Sequence, residues 1–462
     1  MKKIVFLPGI LIILAGCVNR TAPDVHQTPF QALSFDRDSL ARCIRDEYLR
    51  AWQGYKAHAM GFDDVLSVSG TPHNWYGESL LITPIDALDG MILLGLNDEA
   101  DSLLEFIVGH TSWDKNVDVS VFEINIRCLG GLLSSYEMTH DDRLLYLAEE
   151  LGKRFLPAFS SPTGMPYRFV NLSTGRISGE VSNPAEIGTL IIEFGILSRH
   201  TENPLYYDLA KRAITELYQR RSAIGLVGEA INVETGEWTS TESHVGACID
   251  SYYEYLYKGW LLFGDPDLKT MWDTHIKAIN QYCAKENSKG YWYGRVDMNT
   301  GEQFNPQYGA LEAFFPAVLA LSGDVARAIR LHDSWYNVWT IHGLEPEAFD
   351  FEAYEVIPGG EMYYLRPEII ESCYYLYHFT GEEQYLEMAK RIFEDLQAHC
   401  KTEIGYTIVK NIITKEKGDR MESFLFGETL KYLYLIFAPE KTINFDEIIF
   451  TTEAHPMDRA ND

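Results

Sequence analysis

The chain has 462 residues and a formal net charge of −28, from 39 Lys and Arg against 67 Asp and Glu. So large an acidic excess argues against nucleic acid as a partner and against electrostatic binding to anionic lipid. Aromatic residues are abundant, with 9 Trp, 28 Tyr and 23 Phe, as in many sugar-handling proteins, although a large core accounts for them equally well.

Lys2 and Lys3 precede the apolar run "IVFLPGILIILAG" and then Cys17. The run is short for a bilayer span and has the layout of an export signal. Leu14-Ala15-Gly16-Cys17 resembles the bacterial lipobox, so residues 1–16 read as a signal peptide, Cys17 as the acylated mature N-terminus and 17–35 as a flexible tether. The expected location is a lipid anchor on a bacterial membrane, facing the periplasm or the cell exterior, with the membrane met only through that lipid. About 430 residues remain, enough for one large domain or two medium ones. Six cysteines follow Cys17 without CxxC or zinc-like spacing, and their pairing stays open.

Helical apolar periodicity then recurs fourteen times, at about 36–59, 84–95, 97–112, 118–139, 141–155, 184–200, 204–220, 245–263, 266–286, 307–321, 323–342, 364–380, 382–400 and 420–438. Fourteen helices make seven pairs. "YRFVNLSTGRIS", "VGEAINVETGEWT" and "WYGRVDMNTGEQF" interrupt the series with short alternating runs around Thr-Gly. Each reads as a β-hairpin whose glycine (Gly175, Gly236, Gly301) supplies a positive φ; "YTIVKNIITKEKGD" is a looser fourth. A helical solenoid is the rival arrangement, but its repeats would look more alike. The expected fold is an all-α-dominated closed α/α barrel over 36–456, with small β-hairpins on one rim and a tail at 457–462.

Acidic residues recur inside apolar helical surroundings: Glu123 with Arg127, Glu186 and Glu193, Asp250 and Glu254, Glu347, Glu368 and Glu371, Glu422 and Glu428. A buried carboxylate persists only when paired, metal-linked or facing water. Singly, each is better read as a salt bridge or a helix-start charge: Glu123 and Arg127 as an i,i+4 pair, Pro367-Glu368 as a helix start, Glu254 as facing outward. Six such segments in a closed ring instead suggest convergence on one cavity that takes a cation or a polyhydroxylated ligand. Glycosidic cleavage uses such a set, with one carboxyl protonating the leaving oxygen and another carboxylate activating water or attacking carbon.

"FEINIRCLGGLLSSY", "DSYYEYLYKGW", "YYLRPEIIES", "DRMESFLFGETLKYLYLIF" and "FTTEAHP" together resemble the signature blocks of glycoside hydrolase family 47, the class I α-1,2-mannosidases. They occur in family order, and the similarity runs from about Trp52 to Pro456. The resemblance implies an (α/α)7 barrel with a C-terminal β-hairpin as its plug. It also implies a bound Ca2+ contacted by Thr452, with His455 structural. It assigns Glu123 as general acid, Glu368 as general base and Asp250 as a third essential carboxylate on the acid side. Arg127, Glu186, Arg366, Glu371, Phe424 and Glu428 would bind the terminal mannose, with Phe424 as a stacking surface. The implied reaction is Ca2+-dependent, inverting, exo-acting hydrolysis of terminal α-1,2-mannose from high-mannose N-glycans or glycoproteins.

"ALEAFFP" stands where many members read His-Leu-x-Cys-Phe, so Ala310 replaces a pocket His and Ala313 half of a disulfide, while His332 falls near the other half. "LEAFFP" and "RLHDSWYNVWTIHGLEPE" are similar to the branch of ER-degradation-enhancing mannosidase-like proteins. The alternative reading is a catalytically weak or inactive mannose-glycan-binding protein on the same fold.

Overall fold

A computed structural model describes residues 35–459. The expected signal peptide, Cys17, the tether up to residue 34 and residues 460–462 lie outside the described residues.

All fourteen expected helical segments form, and they alternate between two rings. The inner ring is Ile82–Leu93, 121–139, 184–201, Asp250–Phe263, 311–321, Glu368–Thr380 and 425–437, each packed on the next and the last returning to the first. The outer ring is Asn97–His110, Asp142–Phe155, Leu205–Gln219, Pro266–Tyr282, Val325–His342, Gln384–His399 and Arg37–Ala59. Arg37 completes the closure: its guanidinium donates to the carbonyls of Ile436 (3.0 Å), Phe437 (3.2 Å) and Ala438 (3.2 Å) at the end of the last inner helix. Those carbonyls lie at the end of the helix, where outside donors are needed, so the first helix caps the last.

Sequence pattern decides which ring a helix joins. Asp142–Phe155 buries Leu144, Leu147, Ala148, Leu151 and Phe155, a single stripe at helical spacing, and leaves its other face wet. Glu368–Thr380 buries every residue from Ile369 to Leu376, because one face meets the outer ring and the other the barrel interior. Glycine matters where inner helices touch: a Cβ on Gly188 would lie 2.5 Å from Tyr252 Cδ2, so a larger residue would push the 184–188 turn off Asp250–Phe263.

The four expected hairpins are present: Phe169–Asn171 with Ile177–Ser178, Ala230–Asn232 with Trp238–Ser240, Arg295–Asp297 with Gln303–Asn305, and Val409–Asn411 with Glu416–Lys417. Each turn begins at Asn171, Asn232, Asp297 or Asn411, whose side-chain oxygen accepts from the amides two and three residues on. Gly175, Gly236 and Gly301 then take φ of 69°, 75° and 73°, while the looser fourth turn places Lys415 at 62°. The first three hairpins gain a third strand from the segment entering an inner helix: Asp118–Ser120, Val181–Ser182 and Glu242–Ser243. The hairpins therefore sit at the end of the ring where the inner helices begin.

That pairing also corrects several boundaries. The helix expected from 245 starts at Asp250, after Cys248 takes left-handed backbone (φ 74°), and the one expected from 307 starts at Leu311, because Gln307–Tyr308 is a strand. The helix expected from 364 starts at Glu368, with Pro367 in the N-cap position rather than the first helical one. The final antiparallel hairpin pairs Ile448–Phe450 with Pro456–Asp458, so Met457 and Asp458 belong to the plug, not to a tail. All six cysteines among the described residues are free. Among the described residues no helix is long and apolar enough to cross a membrane.

Candidate active site

The first turns of the inner helices carry Glu123, Glu186, Asp250, Glu368 with Glu371, and, on the last one, Glu428. A helix start exposes unpaired amides and a partial positive charge, so it tolerates a carboxylate better than mid-helix does. Ser120 Oγ accepts the Glu123 amide (3.2 Å) and Asn183 Oδ1 the Glu186 amide (2.9 Å), fixing two of these starts. Single π-helical turns, Asn125–Leu129 and Leu425–Thr429, interrupt two of the helices and contain Arg127 and Glu428. Such turns shift side-chain register and are frequent at functional sites.

The result is one cavity of about 350 Å³, lined by all ten expected side chains: Glu123, Arg127, Glu186, Asp250, Arg366, Glu368, Glu371, Phe424, Glu428 and Thr452. Thr452 arrives from the opposite end, on the turn of the C-terminal hairpin, with its amide donating to the Tyr255 hydroxyl (3.2 Å). Three non-glycine residues with left-handed backbone adjoin the lining: Cys248 (φ 74°) near Asp250, Leu365 (64°) before Arg366, and Ala454 (55°) after Glu453. Each costs on the order of 1–3 kcal/mol and persists because surrounding packing fixes it.

The carboxylates divide into paired and unpaired groups. Glu123 Oε2 receives Arg127 Nε (3.1 Å) and Nη2 (3.0 Å). Glu186 receives Arg168 through two bonds (2.7 and 2.8 Å), and Arg366 grips Glu347 in the same forked way (3.0 and 2.9 Å). Among the described residues Asp250 accepts only from Ser251, through its amide (2.8 Å) and hydroxyl (3.3 Å). Glu368 Oε2 is buried with no hydrogen-bond partner among the described residues.

Burial pushes the Asp250 carboxyl up to about 7, against the Ser251 amide bond and with help from the Glu254 and Glu312 charges. Burial raises Glu368 to about 8, opposed by Arg366 and assisted by Glu347 and Asp250. Glu371 also rises to about 8 by burial, against Lys258, and Glu428 goes well above the carboxylate range by burial and the Glu453 charge. Buried carboxyls with ionisation near neutral pH can hold or accept a proton, which is what acid–base chemistry on a glycosidic oxygen and a water requires.

Other acids stand apart from the sequence-based expectations. Glu254, read as facing outward, is buried, lines the cavity and pairs with Lys258, because its helix is enclosed on every side. Glu193 lies outside the lining, held by Tyr255 Oη (2.6 Å) and Asn125 Nδ2 (2.9 Å). Glu347 sits on a connection rather than an inner helix, and Glu422 pairs with Arg420 (3.3 Å). His455 is structural: buried beneath the floor, its Nδ1 lies 2.7 Å from Asp89 Oδ2. Ala310 and Ala313 are buried, and His332 Nε2 meets Cys373 Sγ at 3.3 Å.

Sequence reasoning missed Glu453, Lys258 and Arg168. Glu453 lines the cavity and pairs with Arg127; its adjacency to Thr452 was the available signal. Lys258 is the buried cation between Glu254 and Glu371 (3.6 Å), announced only by its i,i+4 spacing from Glu254. Nothing in the sequence pointed to Arg168.

The donor set suits a hard divalent cation. Thr452 offers hydroxyl and carbonyl oxygens, and the buried carboxyls of Glu368, Glu371 and Glu428 line the same cavity, where a bound cation would favour their ionised forms. Oxygen-only donors of this kind favour Ca2+. Among the described residues no trio of His, Cys, Asp or Glu forms a ready ligand cluster.

The sequence pattern of glycosyl hydrolase family 47 matches residues 47–459. The mouse (Mus musculus) ER degradation-enhancing alpha-mannosidase-like protein 2 is 37% identical, over 98% of this chain and 84% of its own length. Alpha-mannosidase I MNS4 of Arabidopsis thaliana is also 37% identical, over 90% of this chain and 69% of its own. The solved alpha-1,2-mannosidase from Trichoderma reesei superposes with a TM-score of 0.85 at 27% identity, covering 91% of this chain and 99% of that one.

Proposed function

The chain belongs to glycosyl hydrolase family 47, and from that membership we propose a Ca2+-dependent, inverting exo-α-1,2-mannosidase that removes terminal mannose from high-mannose N-glycans. The single observation that carries this reading is the convergence of Glu123, Asp250 and Glu368, from three separate inner helices, on one cavity with Thr452 at its floor.

In this reading Glu123 protonates the leaving oxygen as the bond to the anomeric carbon breaks, with Asp250 completing the acid side. Glu368 takes a proton from a water attacking the opposite face of the ring, so the sugar released is β-mannose. Arg366, fixed by Glu347, hydrogen-bonds the terminal sugar, and Phe424 lies against its apolar face. The hairpin plug closes the cavity below, which suits a chain end and excludes an internal sugar. Ca2+ would be held by Thr452 and by solvent that Glu371 and Glu428 orient, and when bound it supplies positive charge that offsets the buried carboxylates and polarises sugar hydroxyls. The protein would work outside the cytoplasm, held to a bacterial membrane by lipid on Cys17; Cys17→Ser should then release it to the soluble fraction.

The test is digestion of a high-mannose N-glycan with added Ca2+, with chelator, and with Ca2+ restored, read by mass spectrometry. Mannose loss should stop with chelator and return with the metal. No mannose release with Ca2+ present refutes the reading. Proton NMR of the first-formed sugar should show β-mannose; α-mannose would contradict inversion.

A further inference from the structure

Trp75, which none of the acids' roles requires, is anchored at two points. It follows the hairpin of Asp64–Leu66 and Thr71–His73 and is half-buried. Its amide donates to Asp63 Oδ2 (3.0 Å) and its indole Nε1 to Asp64 Oδ2 (2.9 Å). Both aspartates are fully buried. Asp63 is fixed in turn by the amides of Leu80 (2.6 Å) and Ile82 (3.3 Å) and the Ser79 hydroxyl (3.2 Å), at the start of the first inner helix. The ring is thereby tied to the barrel wall.

What the anchored ring touches is charge. The Arg127 guanidinium lies 5.3 Å from the Trp75 ring centre and 5.5 Å from that of Phe424, so two aromatic rings flank one cation. Arg420 also lies 5.3 Å from the Trp75 ring, held by Asp64 (3.2 Å) and Glu422 (3.3 Å). The negative π face of an indole attracts a guanidinium, most strongly where water is excluded. Arg127 is simultaneously claimed by Glu123 at the cavity wall and Glu453 at its floor. Tyr76, the next residue, accepts the amide of Ser120 (3.4 Å), which caps the helix start bearing Glu123.

We propose that Trp75 is a positioning residue for the acid side of the reaction, holding Arg127 against Phe424 so that its fork keeps the Glu123 carboxyl aimed at the leaving oxygen. Without the indole face, Glu453 draws Arg127 floorward and Glu123 loses its orienting partner. This rests on the reading of Glu123 as the acid; a leucine is apolar but smaller than the indole and offers no π face, so the fluorinated tryptophans, which keep the shape, separate the π face from the volume.

The experiment compares Trp75→Leu, Trp75→Phe and proteins carrying mono-, di- and trifluorotryptophan at position 75, which drains the π face without changing its shape. On an α-1,2-linked mannobiose, Trp75→Leu should lose about tenfold in kcat with KM within about twofold, part of the 10²–10⁴ an aligned general acid contributes. Trp75→Phe should recover most of it, and kcat should fall stepwise with fluorination. A kcat unchanged along the fluorination series, or a loss carried by KM, overturns the proposal. A crystal structure of Trp75→Leu, or of the trifluorotryptophan protein should the leucine variant not fold, decides it independently: Arg127 moved towards Glu453 supports it, and Arg127 unmoved overturns it. If the wild-type protein releases no mannose, the enzymatic reading falls while the Arg127 position still answers the positioning question.

Discussion

Asp89→Asn should weaken the folded state by about 3–5 kcal/mol, the usual consequence of removing one partner from a buried ion pair. Asp89 is inaccessible to solvent and contacts Lys431 Nζ (2.8 Å), His455 Nδ1 (2.7 Å) and the Ser134 hydroxyl (2.9 Å). Lys431 also donates to the Ala454 carbonyl (2.9 Å), so the network clamps the turn bearing Thr452 and Glu453. Burial alone would lower the His455 pKa, yet Asp89 and Asp86 lift it from 6.5 to about 9. At about 1.36 kcal/mol per pH unit that is on the order of 3 kcal/mol, the same scale as the pair-breaking figure. The Asp89 carboxyl, despite its burial, is held down at about 2 by Lys431 and His455.

The signs set the pH window. A raised imidazole contributes fully below about 6.5 and loses its contribution as pH climbs through about 9, and the lowered Asp89 carboxylate contributes above about 3.8 and loses it as pH falls through about 2. Urea unfolding of wild type and Asp89→Asn at pH 6 and pH 9, with equal slopes, measures both effects. Wild-type stability should fall between those pH values, and the variant should start lower and fall less. A variant within about 1 kcal/mol of wild type at pH 6 would refute the claim that this pair anchors the floor.

Glu254→Gln removes a like charge that helps hold Asp250 at about 7, so if a protonated Asp250 is needed, the alkaline limb of kcat/KM should move to lower pH; an unmoved limb would discount that coupling. Arg366→Lys keeps the charge but loses the forked grip on Glu347 (3.0 and 2.9 Å), and kcat/KM should fall about tenfold or more on mannobiose. Gly188→Ala drives a methyl to 2.5 Å from Tyr252 and should cost about 1–3 kcal/mol by thermal or urea unfolding. Removing Ca2+ should lower the melting temperature as well as activity, because a ligand bound only by the native state stabilises it; scanning calorimetry with and without chelator reads this.

Much of the site was legible because its residues contradict their surroundings. Glu123, Asp250 and Glu368 stand in apolar helices, and a carboxylate there needs a reason that sequence alone can flag. Lys258 and Arg168 carried no such flag: a lysine four residues after a glutamate, or an arginine beside a hairpin, is ordinary on a helix or loop surface. Glu254 was misassigned for the same reason, since periodicity says which side chains share a face but not that the helix is enclosed on every side. The boundaries at 245, 307 and 364 slipped because a left-handed residue at Cys248, a short strand at Gln307–Tyr308 and an N-cap proline depend on packing that apolar periodicity does not report.

By itself the sequence determined the number of helical segments, their pairing, the turn chemistry of the rim and most of the cavity acids, though not Glu453, because these follow from local periodicity, backbone preference and the high cost of burying charge. Only the tertiary structure decided that inner-helix starts meet at one end, that Arg127 stands between Trp75 and Phe424, and which carboxyls lack a partner. Those properties come from ring closure, which places side chains hundreds of residues apart within hydrogen-bonding distance, and no local interaction along the chain encodes such distances.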